Sequence, residues 1–377
     1  MKKFLRTMLV AIFAISLTSC GSNQDSNAPD ETKESQEIKS EENKDAESSK
    51  KATLIVNGSL GDLGFFDSAN SGMQRIKDEL NMDIKVVETG DDETKWEPAL
   101  ADAADTDTDY IIAVSPSMVE PVQKLAPEYP EKRFILIDNS VDFDADDLSN
   151  VYCATFKQNE GSFLAGVAAA LASEGKPIGF IGGMDIPPIN DFLVGYIQGA
   201  QSVNKDIKVL STYVGDYYDP AKGKEFGLIQ FNEGSEVVFA AAGPSGLGAI
   251  EAAVERSKKI IGVDSDQAMA YKENGDEDTA EKIVTSMMKN VGDTIFNTIE
   301  KDLNGSLNWG TSESLGIKEK AVGLAKNEYY NKAFTEEQKS EIERIEKSVV
   351  DGEIKVNTAI GMPQEELDKL RNSVKPN

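Results

Sequence analysis

The chain has 377 residues, 40 % of them hydrophobic and 7 % aromatic, which suits two globular domains. It carries 39 Lys and Arg against 66 Asp and Glu, a formal charge of −27, and lacks the basic cluster that a nucleic-acid-binding protein needs. The chain has no histidine and two cysteines, a composition that excludes Ser-His-Asp and Cys-His nucleophile sites and most zinc sites. An acidic binding protein, or an enzyme that works with carboxylates alone, remains.

The N-terminus has the pattern of an export signal. Three basic residues precede an apolar run over 8–17, which is too short to span a membrane but typical of a secretory signal. The run ends in Leu-Thr-Ser-Cys-Gly, which resembles the bacterial lipobox; an ordinary signal peptide with an accidental cysteine is the alternative. We therefore expect 1–19 to be removed and Cys20 to carry a lipid anchor on the outer face of the cell membrane.

Residues 20–52 are a predicted disordered tether. Between 23 and 52, nine acidic residues and five lysines accompany only four apolar side chains. Such a segment buries too little apolar surface to offset its chain entropy. It would act as a spacer between the membrane and the folded domain.

From residue 53 onward, short apolar runs alternate with stretches of helical period. The predicted strands cover 54–56, 84–87, 110–114, 134–137, 178–181, 209–214, 237–242 and 260–263. The predicted helices cover 65–80, 96–104, 190–201, 222–232 and 247–256. This alternation indicates right-handed βαβ units in an α/β fold, and roughly five strands per half predict two doubly wound lobes.

Ligands of such sheets bind beyond the carboxyl ends of the strands, so the residues that follow each apolar run are the candidates. The Gly-rich segment 58–68 follows the first run and lacks the spacing of a dinucleotide fingerprint or a P-loop. Its Asp62 suits either ligand contact or helix capping, whereas capping is the better interpretation for Asp67.

Two more carboxylates, Asp138 and Asp264, directly follow predicted strands. A carboxylate accepts two hydrogen bonds from a vicinal diol, so these positions suit a sugar or a ribose. An acid in a solvated turn is the alternative for each of them, because Asp is common at the ends of strands. Three acids at strand ends favour a ligand-binding site more strongly than a single one would.

Aromatic and close-approach residues recur near the same strand ends. Phe65, Phe192 and Tyr217 could hold a flat base, since stacking contributes ~1–3 kcal/mol per base, although core packing is the alternative. Gly243 lies in a loop that allows close backbone approach to a ligand. Lys289, interpreted as following a short strand and lying early in a helix, could donate to hydroxyl groups or simply lie on the surface.

The order of these motifs resembles the basic membrane protein family of bacterial lipoproteins, similar to the purine nucleoside receptor A group of ABC-transporter substrate-binding proteins. The motifs that carry the resemblance are the segments 61–69, 182–187, 262–267 and 285–289. Residues 351–356 also resemble the closing strand of that family. The resemblance extends over about 53–357.

The resemblance implies a type I periplasmic-binding-protein fold, in which two lobes joined by three crossovers close over a purine nucleoside. With Phe192 added from the aromatic pattern, the candidate ligand-binding residues are Asp62, Phe65, Asp138, Phe192, Tyr217, Gly243, Asp264 and Lys289. Tyr217 stands where many relatives have Phe, and Asn70 where many have Trp, which leaves base selectivity open.

We expect an N-terminal lobe over 53–157 plus 284–305 and a C-terminal lobe over 158–283 plus 306–377. The expected function is a lipid-anchored receptor that passes adenosine, guanosine or inosine to an ABC permease, with no cofactor and no catalysis. A free sugar or another small polar metabolite is the alternative ligand, and nucleoside sensing is the alternative role. A third hypothesis is a nucleoside hydrolase. Such an enzyme would need carboxylates grouped around a metal ion, whereas the acids here are spread over separate strand ends.

Overall fold

The computed structural model describes residues 49–376. The predicted export signal, the predicted lipidation site Cys20 and most of the predicted tether lie outside these residues. The first strand begins at Lys51, so the last two tether positions belong to a sheet instead. Within 49–376, no helix has the length and apolar character needed to cross a membrane.

Strands and helices alternate along the described chain. The strands are β1 (Lys51–Val56), β2 (Asp83–Glu88), β3 (Tyr110–Val114), β4 (Arg133–Ile137), β5 (Val151–Phe156), β6 (Ile178–Gly182), β7 (Val209–Tyr213), β8 (Val237–Ala241), β9 (Lys259–Asp264), β10 (Ile283–Lys289), β11 (Thr311–Leu315) and β12 (Val322–Leu324). The helices are α1 (Phe65–Leu80), α2 (Trp96–Ala104), α3 (Val119–Leu125), α4 (Gln158–Ala172), α5 (Pro187–Val203), α6 (Pro220–Asn232), α7 (Pro244–Arg256), α8 (Gln267–Glu273), α9 (Glu277–Ala280), α10 (Val291–Leu303), α11 (Glu328–Ala333), α12 (Glu336–Val350) and α13 (Gln364–Val374).

Across residues 49–376 the strands form two six-stranded sheets. The first has the order β11-β5-β4-β3-β1-β2, and all of its neighbouring strands are parallel. The second has the order β12-β10-β9-β8-β6-β7, with β12 antiparallel to β10. In each sheet the direction of strand addition reverses after the second strand, which is the doubly wound arrangement. The predicted α/β class with two such lobes is confirmed.

The apolar pattern explains why these segments form these elements. β3 and β4 are apolar runs that lie almost wholly buried inside the first sheet, as strands covered by helices on both faces must. α1 instead buries one stripe, including Ala69, Met73 and Ile76, against that sheet. The predicted bounds of β3, α1 and α2 match the structure.

Two local predictions were wrong. Lys289 is the last residue of β10 rather than part of a helix, because the segment that precedes it pairs with β9 and β12 and is buried between them. Residues 351–356 form no strand, since the backbone N–H groups of Glu353 and Ile354 donate back to the Ser348 carbonyl at the end of α12.

The two sheets also divide the chain differently from the expected lobes. β10 belongs to the second sheet, although 284–305 was assigned to the N-terminal lobe, and β11 belongs to the first sheet despite lying in 306–377. The reason is that the described chain passes between sheets after β5, after β10 and after β11. Backbone hydrogen bonds from Lys157 to Leu315 and from Asn290 to Ala321, both 2.8 Å, tie these passages together.

Immediately after Lys289 the chain is held to the first lobe by a contact between two glycines. α10 packs on α1, and a Cβ atom on Gly72 would lie 2.4 Å from the Gly292 carbonyl oxygen. The Gly292 N–H also donates to the Ser68 hydroxyl at 3.2 Å. This close approach fixes the backbone directly beyond the end of β10.

We expect Gly72→Ala to lower the free energy of unfolding by about 1–3 kcal/mol, because the added methyl group forces α1 and α10 apart. Urea unfolding measures the effect as a lower midpoint at an unchanged slope. Gly246→Ala in α7 is the matched control, since its Cβ would lie no closer than 3.4 Å to a neighbour. Equal midpoints for the two variants would show that the contact is not tight.

Candidate functional site

A cavity of about 550 Å³ is lined by residues that follow strands of both sheets. Its size lies within the range of roughly 300–1,000 Å³ that small-molecule sites occupy. All of the residues predicted as ligand contacts line it: Asp62, Phe65, Asp138, Phe192, Tyr217, Gly243, Asp264 and Lys289. The structure therefore brings the predicted site residues of the described chain together in one place.

The polar centre of the cavity is an ion pair between the two lobes. The Nζ of Lys289, at the end of β10 in the second sheet, lies 2.5 Å from Oδ1 of Asp138, which follows β4 in the first. The two side chains are 5 % and 13 % exposed. The same Nζ lies 5.1–5.7 Å from the ring centroids of Phe65, Phe156 and Phe192, so aromatic faces also stabilise the ammonium group.

Asp62 serves the start of α1. Its carboxylate accepts hydrogen bonds from the backbone N–H groups of Gly64, Phe66 and Asp67 at 3.0–3.1 Å. Burial raises the pKa of Asp62, and these three donors oppose the rise. Asp62 therefore caps the helix and lines the cavity at once, so its two interpretations are compatible.

Asp67 does not cap α1 in the predicted way. Its carboxylate instead accepts from the N–H groups of Gly61 and Leu63, at 2.8 and 2.9 Å, and so holds the loop that precedes the helix. The competing cap is Asp62, which already takes the N–H groups of the first turn. Asp62 therefore binds the N–H groups of the first turn of α1, and Asp67 binds those of the loop before it.

Asp264 is the most perturbed acid of the cavity. Its side chain is buried at the end of β9, and burial raises its pKa to about 7. Lys289 opposes this rise, while the carboxylates of Asp62 and Asp138 add to it. The group therefore stands between its neutral and charged forms near neutral pH.

Several strand ends at the cavity have a backbone conformation that favours glycine. Asp138 and Asp264 have φ angles of 77° and 67°. Ser115, which follows β3, has φ 124° and ψ 145°, close to a region that only glycine adopts readily. Each such residue costs roughly 1–3 kcal/mol, and such strain is concentrated at binding sites where it aims side chains.

Further contacts join the lobes around the cavity. The Tyr218 hydroxyl donates to the Asn57 carbonyl at 3.2 Å, and the Ser265 hydroxyl donates to the Leu63 carbonyl at 2.6 Å. With the ion pair of Lys289 and Asp138, these bonds join the two lobes around the cavity.

Aromatic side chains form part of the cavity wall. The Tyr217 ring packs on backbone at Gly183, where a Cβ atom would lie 2.3 Å from the ring. Trp96, at the start of α2, faces the same cavity, and its Nε1 donates to the Gly90 carbonyl at 3.1 Å. Asn70 does not line the cavity. Trp96 thus supplies an indole ring from a different element than the resemblance led us to expect.

Asn57, Ser115 and Trp96 are among the polar and aromatic lining residues that the sequence did not predict. Asn57 and Ser115 directly follow β1 and β3, so the strand-end rule could have found them. The Asn57 Nδ2 donates to the Ser115 hydroxyl at 3.1 Å, while the buried Oδ1 of Asn57 has no hydrogen-bond partner within 49–376. No local signal marked Trp96, because only the packing of α2 brings it to the cavity.

The cavity is strongly acidic. Its lining carries one ammonium group, from Lys289, and the carboxylates of Asp62, Asp91, Glu93, Asp138, Asp216 and Asp264. These acids come from separate strand ends and loops, and no group of described side chains is arranged to hold a metal ion. The arrangement suits a ligand that donates hydrogen bonds and carries no negative charge.

A model of the family described as ABC transporter substrate-binding protein PnrA-like matches residues 49–359. The chain belongs to this family. Basic membrane protein D of Borreliella burgdorferi is 31 % identical over 310 residues, covering 81 % of this chain and 87 % of the relative. The ABC transporter nucleoside-binding protein BmpA of Lactococcus lactis is 31 % identical over 327 residues, covering 81 % of this chain and 88 % of the relative.

Solved structures agree with this assignment. An ABC transporter solute-binding protein of Aeropyrum pernix aligns with a TM-score of 0.73 and 26 % identity, covering 87 % of this chain and 99 % of that one. The expected type I periplasmic-binding-protein fold and the resemblance to the basic membrane protein family are confirmed. As a member, the chain is a substrate-binding protein of an ABC transporter.

We expect ligand-free Asp264→Asn to be more stable than the wild type at pH 8 and to lose this advantage towards pH 4. The pKa of Asp264 is about 7 in the folded protein, against about 3.9 in an unfolded chain. The folded protein therefore retains a proton between these values, and its stability falls as the pH rises through this window. Above pH 7 this pKa difference lowers the free energy of unfolding of the wild type by roughly 4 kcal/mol.

Urea unfolding of both proteins at pH 4 to 8 measures this difference. Asp278→Asn is the control, because Asp278 is exposed on α9 and lies outside the cavity. A stability difference between Asp264→Asn and the wild type that stays constant over this range would contradict the raised pKa.

Proposed function

We propose that this protein captures purine nucleosides and delivers them to the permease of an ABC importer. The observation that carries the proposal is the joining of both lobes at one cavity by Asp138 and Lys289, with Asp62, Asp264 and aromatic rings around the pair. The name of the Lactococcus relative, a nucleoside-binding protein, supports the same ligand class.

In this proposal the ribose lies among the strand-end acids. The carboxylates of Asp62, Asp138 and Asp264 accept hydrogen bonds from its hydroxyl groups, while Lys289 donates to a hydroxyl oxygen. Because Lys289 and Asp138 belong to different sheets, a ribose held by both stabilises the closed arrangement of the lobes.

The base lies against the aromatic wall. Phe65, Trp96 and Tyr217 line the cavity and present flat apolar surfaces for a heterocycle. Asn57 adds a polar amide group to the same lining. These features favour a nucleoside over a sugar.

The charge of the lining favours a nucleoside over a nucleotide. A phosphate group would bring negative charge among the acids that line the cavity, and within 49–376 only Lys289 offers a cation there. Lys289 is already paired with Asp138. A neutral ligand avoids this repulsion.

The proposal includes export and a lipid anchor. Removal of 1–19 and lipidation of Cys20 would place the folded domain on the extracytoplasmic face of the cell membrane, within reach of its permease. The support comes from the lipobox-like sequence and from membership of a family of transporter substrate-binding proteins. In this role the protein does no catalysis and needs no cofactor of its own.

Isothermal titration tests the ligand class directly, on protein that has been unfolded and refolded to remove any retained ligand. We expect saturable one-to-one binding of adenosine, guanosine or inosine and at least 100-fold weaker binding of ribose, free purine bases and the 5′-monophosphates. Binding of a free sugar in preference to every nucleoside would reject the proposed ligand and favour the sugar alternative.

Lys289→Met should weaken nucleoside binding by about 30-fold or more, because truncation of one partner of a buried charge pair costs roughly 2–5 kcal/mol. Lys301→Met is the control, since Lys301 and its partner Glu313 are both exposed and lie outside the cavity. Unchanged affinity in a folded Lys289→Met protein would remove Lys289 from the site.

Cys20→Ala should release the protein from the membrane of an expressing bacterium. Detergent-phase partition and the mass of the N-terminal peptide report the anchor, since two acyl chains give stable membrane attachment. Cys153→Ala is the control, because Cys153 is buried in the first sheet and should not affect partition. Membrane attachment of Cys20→Ala would contradict the proposed anchor.

A further inference from the structure

The C-terminal segment continues along the second lobe beyond the part that matches the family model, which ends at residue 359. There the segment is fixed to α5, where Asp191 accepts hydrogen bonds from the Thr358 hydroxyl at 2.6 Å and the Ala359 N–H at 2.8 Å. α13 follows and packs against α5 and β7. It thus contacts the helix that carries Phe192 into the cavity.

The last turn of α13 carries a largely buried arginine, Arg371, whose side chain is 15 % exposed. Its Nη2 lies 2.7 Å from Oδ1 of Asp185, 2.7 Å from Oδ1 of Asn190 and 2.6 Å from the Tyr213 hydroxyl oxygen, so its two N–H groups are shared among three acceptors. Its Nη1 donates to the other Asp185 oxygen at 3.2 Å, and its guanidinium carbon lies 4.8 Å from the Tyr213 ring centroid. Only arginine combines this fork geometry with stacking.

The partners of Arg371 are bonded to one another as well. The Asn190 Nδ2 donates to Oδ1 of Asp185 at 2.9 Å, and the Tyr213 hydroxyl donates to Oδ1 of Asn190 at 2.7 Å. The hydrogen bonds from Arg371 lower the pKa of Asp185, so the pair stays charged at neutral pH. The result is one connected network.

This network holds a wall of the cavity. Asp185 and Asn190 lie near the two ends of the segment 184–189, which joins β6 to the first turn of α5. Four of its side chains line the cavity: Met184, Ile186, Pro188 and Ile189. The polar side chains at its ends therefore face Arg371, while its apolar side chains face the ligand space.

We propose that Arg371 is a positioning residue: from the C-terminal helix it anchors both ends of the wall segment 184–189 and so sets how long a ligand stays bound. The inference rests on the nucleoside-binding function proposed above. Without the anchor, the segment populates additional conformations that a ligand must order on binding. The effect falls mainly on dissociation, as for most changes within one binding site.

The test compares Arg371→Met and Asp185→Asn with the control Lys369→Met, an exposed lysine on the same helix. Displacement kinetics with inosine, guanosine and adenosine should show dissociation roughly 5- to 30-fold faster for the first two variants and unchanged for the control. Because the two substitutions remove one network, the double variant should show less than the sum of their effects.

Hydrogen exchange of the ligand-free proteins provides a second readout. We expect faster exchange of the Ile189 and Asn190 amides, which donate to the Ile186 carbonyl at the end of the segment 184–189, in Arg371→Met and in Asp185→Asn than in the wild type. A lower melting temperature with unchanged dissociation and unchanged exchange of these amides would overturn the proposal, because Arg371 would then serve stability alone. If Arg371→Met does not fold, Asp185→Asn decides by the same criteria.

The two proposals fail in different ways. If the wild type binds no nucleoside, the proposed function is rejected, and exchange of the Ile189 and Asn190 amides still decides whether Arg371 anchors the wall. If the wild type binds a nucleoside and both variants release it at the wild-type rate, the role of Arg371 is rejected and the proposed function stands.

Discussion

The buried ion pair between Lys289 and Asp138 joins the two lobes at the polar centre of the cavity, and the chemistry proposed for the site depends on it. Its partners come from different sheets, and burial of both charges is unfavourable unless they stay together. The pair therefore couples the distance between the lobes to the chemistry of the cavity. A ligand that forms hydrogen bonds with both charged groups can replace or extend their contact. In an open form, water would solvate each charge separately.

The fold brings this chemistry together by a simple rule. In parallel sheets the carboxyl ends of the strands meet at one edge, and two such edges converge on the cavity. Asp138 and Asp264 both have a left-handed backbone conformation at this edge, and both line the cavity. Passages of the chain between the sheets then fix Lys289, which ends β10 just before α10 joins the first lobe.

The sequence predicted correctly those elements and site residues whose pattern lies within a short stretch of chain. β3 and α1 were found because their hydrophobic periods differ, and Asp138 and Asp264 because they follow buried runs. β10 was predicted too short, because its Thr285 and Ser286 are polar yet buried. The network of Arg371 joins residues 186 positions apart, and Trp96 reaches the cavity only through packing, so neither leaves a signal in a short window.

The most direct test of the central claim, that acids at strand ends grip ligand hydroxyl groups, compares inosine with 2′,3′-dideoxyinosine by titration of the ligand-free protein. We predict that loss of both hydroxyls weakens binding by about 100-fold or more, because buried carboxylates then lose their donors. Equal affinity for the two nucleosides would contradict it.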